Sequence, residues 1–152
     1  MSEAIKEALY ESAMTVLETS AFMDVFEWEE DSGLPMPDTA AHMTFRGHAE
    51  GEISLSMSAQ LLDTLAENML GEPVDDADAE KKRQDALKEA LNMICGNFLT
   101  SWMGDAPVFD LSPPEIVDIR KVAEQAESDK SIIVRLNLEE TCAELVVTKH
   151  SK

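Results

Sequence analysis

The chain has 152 residues, enough for one domain with a sizeable core and short of two. Lysine plus arginine number 12 and aspartate plus glutamate 31, and the resulting net charge of −19 argues against a nucleic-acid binder and against docking on an anionic membrane surface. Aromatics make up only 5% while there are 9 methionines, so the expected core is aliphatic and soft.

The segment from Ser2 to Phe22 predicts an amphipathic helix, with Ile5, Leu9, Ala13, Val16 and Leu17 on one stripe and Glu7, Glu11 and Glu18 off it. A short strand is expected within Met23 to Trp28, ending in the acidic run Glu29–Asp31, and Gly33, Pro35 and Pro37 then mark a loop. Thr39 to Arg46 alternates, with Ala41, Met43 and Phe45 on one side. Glu52 to Ser58 alternates more clearly, Ser54 and Ser56 separating Ile53, Leu55 and Met57, which predicts a strand with one covered and one wet face.

Ser58 is the expected N-cap of a second helix, Leu61, Leu62, Leu65 and Met69 its stripe, and Gly71 its stop. Pro73 to Asp78 reads as an acidic linker. From about Asp78 to Met103 runs the longest predicted helix, with Leu87, Leu91, Ile94 and Phe98 toward the core. Pro107, Pro113 and Pro114 punctuate the next stretch of chain. Glu115 to Lys121 is expected as a strand, and Ile132–Leu138 and Cys142–Thr148 as two strands joined by a turn at Glu139–Glu140.

Strands come in runs rather than alternating singly with helices, so the class is α+β with an antiparallel sheet and long helices packed on it. Each half opens on a long helix followed by strands, which suggests an internal αβ duplication. Cys95 and Cys142 form no CxxC, so two reduced, buried thiols are expected rather than a disulfide scaffold or a zinc site. Charges at Glu3, Lys6, Glu7 and Glu11 interrupt any signal-like stretch, and no segment approaches a membrane span, so the expected location is cytoplasmic.

No GxSxG, P-loop, GxGxxG or HExxH motif is present. His42 and His48 could share a strand face, but no cysteine or acid is placed with them, and no metal site is expected. The Asp75, Asp76, Asp78, Glu80 run lacks the central glycine and closing glutamate of a calcium loop.

The long third helix is different. With Leu87 as zero, Leu91, Ile94 and Phe98 fall within about 40° of it, whereas Asp85, Glu89, Asn92 and Gly96 fall at about 140° to 200°. One stripe buries; the other presents acid, acid, amide and then no side chain. A helical glycine costs about 1 kcal/mol relative to alanine. It is favoured where a partner presses close; the plain alternative is a solvated face with a glycine kept for core packing.

The run from Asp85 through Glu89 and Asn92 to Gly96 and Asn97 resembles the active helix of the CheC/CheX/FliY chemotaxis phosphatases, and its Asn-Met-Ile-x-Gly-Asn tail resembles the CheX branch. The family's mark is an acidic or hydroxyl residue, a glutamate and an asparagine at helical spacing, and a proline well downstream. Asp85, Glu89 and Asn92 match it; the proline is Pro113 or Pro114, with a spacing about one residue short. The first helix contains no asparagine, so the chain has one copy of the motif, as CheX-like members do.

The resemblance implies a single CheX-like domain over residues 1–152 that hydrolyses the aspartyl-phosphate of a CheY-like response regulator. Asn92 would hold the attacking water and Glu89 would pair with the regulator's active-site lysine. Asp85, Gly96 and Pro114 would meet the partner. It implies no cofactor of the chain's own, the Mg2+ being the regulator's, and a homodimer with sheets joined edge to edge. The alternative is a binding module that holds a regulator or a flagellar or signalling partner without hydrolysis. Retention of both Glu89 and Asn92 favours catalysis.

Overall fold

A computed structural model describes residues 2–29, 33–71, 73–74 and 77–150. Glu30 and Asp31 of the acidic run, and Asp75 and Asp76 of the linker, lie outside the described residues.

In chain order the elements are α1 (Ser2–Thr19), β1 (Val25–Glu27), β2 (Thr39–Arg46), β3 (Gly51–Met57), α2 (Ala59–Leu70), α3 (Ala79–Met103), β4 (Asp110–Leu111), β5 (Glu115–Val117), α4 (Ile119–Ala126), β6 (Ser131–Leu138) and β7 (Thr141–Lys149). The seven strands form one antiparallel sheet in the order β1-β6-β7-β3-β2-β4, with β5 also paired to β2. The order is symmetric about β7–β3: each hairpin, β2–β3 and β6–β7, takes its outer neighbour from the other half of the chain. This is a symmetry of arrangement and not of sequence.

Local chemistry sets the boundaries. Ser58 caps α2 by accepting from the Leu61 amide at 3.1 Å, and Gly71 ends it at φ 74°, its N–H bonded to the Glu67 carbonyl. Glu139 and Glu140, at φ 51° and 60°, make the two-residue left-handed turn that the right-handed twist of a hairpin demands. The helices α1, α2 and α3 pack together on one side of the sheet. There Leu9, Leu17, Phe45, Ile53, Leu55, Leu87, Leu91, Ile94, Phe98 and Leu145 are all buried in one cluster.

Two expectations are corrected. Glu115 to Lys121 is not one strand: β5 ends at Val117, and Asp118 opens α4 by accepting from the Arg120 amide at 2.9 Å. Its carboxyl is held down to about 2 by hydrogen bonds from the Arg120 guanidinium and backbone. The second correction stems from the first. Ser54 and Ser56 are fully buried rather than wet. Val122 of α4 packs with Ala40 and Val146, the register partners of Ser56 and Ser54, so the sheet is covered on this side too.

On this second face, against expectation, an acid does stand with His42: Glu52 accepts from both His42 and His150, each at 2.9 Å. Burial pushes the Glu52 carboxyl up, but the hydrogen bonds from His150 and His42 outweigh it and leave it below the ordinary carboxylate range. His48 lies beyond the end of β2 and shares no strand face with His42. Both cysteines are free and buried, and desolvation raises the Cys95 thiol to about 12 and the Cys142 thiol to about 11. Among the described residues, no helix is long and apolar enough to cross a membrane.

Candidate functional site

The α3 helix carries its two stripes as the wheel predicts. Leu87, Leu91, Ile94 and Phe98 are fully buried, while Asp85, Glu89 and Asn92 are exposed. The buried stripe rests on β2 and on α1 and α2, which fixes the outward direction of the other stripe.

The second wall comes from the sheet edge. β4 and β5 pair in succession along the outer side of β2, at Phe45–Arg46 and at Ala40–His42. Between them Pro113 and Pro114 supply no amide hydrogen, so the edge is interrupted there. Ser112 secures the break: its amide donates to the Thr44 carbonyl at 3.0 Å, and its hydroxyl accepts from the Thr44 amide at 2.8 Å. This carries Pro114 to the flank of α3. Asp85, Lys88, Glu89 and Asn92 together with Pro114 line an open depression of about 300 Å³. Pro113 is not part of that lining, and neither is Gly96, which lies one turn further along α3.

The side chains differ in how far they are already engaged. Asp85 sits between two lysines, 3.5 Å from Lys81 Nζ and 3.6 Å from Lys88 Nζ. Glu89 has no ion pair among the described residues. Asn92 makes no hydrogen bond to any described residue, whereas Asn97 donates to the Met93 carbonyl and Asn68 to the Ala21 carbonyl. An exposed amide with both its donor and its acceptor free can hold a water from two sides. No group of three or more His, Cys, Asp or Glu among the described residues is arranged to hold a metal ion. Lys88 is not a residue of the motif, yet in the fold it lines the depression. Its signal in the sequence is that it is the cation adjoining Glu89 in a strongly acidic chain.

At Gly96 the structure bears on one of the two readings of the sequence, the need of glycine for core packing. A Cβ built there meets nothing within 4 Å, so no internal packing requires glycine. Gly96→Ala is therefore expected to raise stability by about 1 kcal/mol, read from urea unfolding. A loss of stability would show that the backbone at this position depends on glycine.

A single antiparallel sheet with long helices packed on one side is the fold of the CheC-like proteins. The family described as chemotaxis phosphatase CheX matches residues 39–137, which run from β2 into β6 and contain all of α3. The chain belongs to this CheX family. CheX from Desulfovibrio desulfuricans is similar in structure at 18% identity and a TM-score of 0.74, over 96% of this chain and 99% of that one. CheX of Borrelia burgdorferi, solved in complex with CheY, BeF3 and Mg2+, is similar at 21% identity and a TM-score of 0.74, over 95% of this chain and 97% of that one. FliY of Thermotoga maritima is similar at 18% identity and a TM-score of 0.59, over 96% of this chain and 88% of that one. These likenesses establish the fold. No curated protein matches the chain.

Proposed function

We propose that this chain hydrolyses the aspartyl-phosphate of a CheY-like response regulator, with Asn92 holding the attacking water and Glu89 pairing with the regulator's active-site lysine. The observation that carries the reading is the unengaged Glu89 and Asn92 pair, exposed side by side with Pro114 at one depression of a CheX-family chain. The CheY complex of the Borrelia relative supports a CheY-like partner.

The chemistry asks little of this chain. Phosphoryl transfer is mostly positioning and charge stabilisation, and the regulator supplies both the phosphoryl group and the Mg2+. The water oxygen bonds to phosphorus as the bond from phosphorus to the aspartyl oxygen breaks. Inorganic phosphate and a free carboxylate leave, the water's proton passing to phosphate or solvent. The Asn92 amide accepts from and donates to that water, keeping it in line with the breaking bond. Glu89 lies one turn away on the same stripe, where a charge pair with a lysine sets the depth of docking. A resident Mg2+ fits these residues poorly, because Asp85 is already shared by two lysines and hard cations need several oxygen ligands.

The test measures phosphate release from phosphorylated CheY-like regulators in the presence of Mg2+. Release faster than each regulator's own rate is expected for a cognate partner. Binding without acceleration across the panel would replace this reading with that of a binding module.

A further inference from the structure

Among the described residues, Lys88 is the one cation lining the α3 depression. Its side chain is 35% exposed and its ammonium lies 3.6 Å from Asp85, a loose i,i+3 pair of the kind that contributes little. The other Asp85 oxygen lies 3.5 Å from Lys81. Lys88 can therefore leave Asp85 without stranding that carboxylate. Lys81 is 78% exposed and lies outside the depression, so it remains with Asp85 when a partner docks.

The electrostatics of docking give Lys88 a task. A phosphoryl group brought to Asn92 comes with the regulator's Mg2+ and with the lysine assigned to Glu89, but its remaining oxygens still face a chain of net charge −19. Like charges facing each other across an interface are strongly unfavourable if nothing intervenes. A lysine ammonium is a compact charge with three donors, suited to a phosphoryl oxygen. Resting on the reading of Asn92 as the water-holding residue, we propose that Lys88 exchanges Asp85 for a phosphoryl oxygen of the docked regulator. It is then the group through which this chain distinguishes a phosphorylated regulator from an unphosphorylated one.

The test compares Kd for CheY loaded with Mg2+ and beryllium fluoride, a stable phosphoryl mimic, with Kd for unloaded CheY. Lys88→Gln is expected to weaken binding of the loaded form about tenfold, the effect of one charge-assisted hydrogen bond, and to leave the unloaded form within about twofold. Lys88→Arg, which keeps the charge, is expected to restore most of the preference. Glutamine is a good helix former at this position, so the variant is expected to fold, with circular dichroism as the check. Equal weakening toward both forms, or an unchanged Kd for the loaded form, overturns the inference. A parent chain that binds loaded CheY yet releases no phosphate defeats the phosphatase reading alone, and the ratio of Kd values still decides the role of Lys88. A parent chain that binds neither form overturns both.

Discussion

Asn92→Ala is expected to lower phosphate release from a phosphorylated regulator by about 10²-fold while changing Kd for that regulator by no more than about twofold. The asymmetry reflects where the amide acts. Asn92 is exposed and bonded to no described residue, so truncating it breaks nothing within the fold. Alanine also has the higher helix propensity, so α3 itself loses nothing. On the proposed mechanism the variant lacks only the group that orders one water in line with phosphorus, an interaction made fully only in the transition state. Such a loss falls on kcat. Removing the neighbouring carboxylate is different: Glu89 is assigned a charge pair at the interface, so its loss weakens binding in the ground state as well. The two residues therefore separate in single-turnover kinetics at saturating chain, where Asn92→Ala stays slow. Full activity in Asn92→Ala would remove the water-positioning mechanism, whatever the binding data showed.

The candidate site's placement is largely legible in the sequence because it lies on the element with the clearest periodicity. Leu87, Leu91, Ile94 and Phe98 recur at steps that only a helix brings to one side, and their burial sends Asp85, Glu89 and Asn92 outward. Capping is legible for the same local reason: Ser58 and Gly71 act within one turn of their own positions. Pairing across the sheet is not. Spacing alone does not choose between Pro113 and Pro114, since the choice depends on how Ser112 and β5 dock against β2; the fold brings Pro114 to the depression.

The α4 helix escapes sequence reading because it has only 8 residues and comes after a strand with a single residue between them. Its signals are present: Asp118 as a cap, then Ile119, Val122 and Ala126 at helical spacing. Without α4, β3 is misread as well, because alternation records side-chain polarity and not which face is covered. Ser54 and Ser56 look like a wet face until Val122 is placed over Ala40 and Val146.

Phe98→Ala is expected to cost about 3–5 kcal/mol of stability. Phe98 is fully buried, meets Phe45 edge-on at 6.4 Å, and stacks on Trp102 at 5.4 Å. Phe45 in turn meets Phe109 at 6.3 Å, so the ring at 98 joins α3 to β2 and to the segment that leads into β4. Removing it leaves a void that rigid neighbours on the sheet cannot close, which adds a cavity cost to the lost transfer energy. A domain of this size has roughly 5–15 kcal/mol in total, so the variant would lie close to unfolding. The contrast with Gly96→Ala, two residues away, is the sharper test. One substitution opens a hole behind the helix, the other adds a methyl to open space in front of it, and their effects have opposite sign. Urea unfolding of the two variants measures both faces of α3 at once. A loss below about 1 kcal/mol for Phe98→Ala would mean that the aromatic cluster does not anchor the helix that carries Glu89 and Asn92.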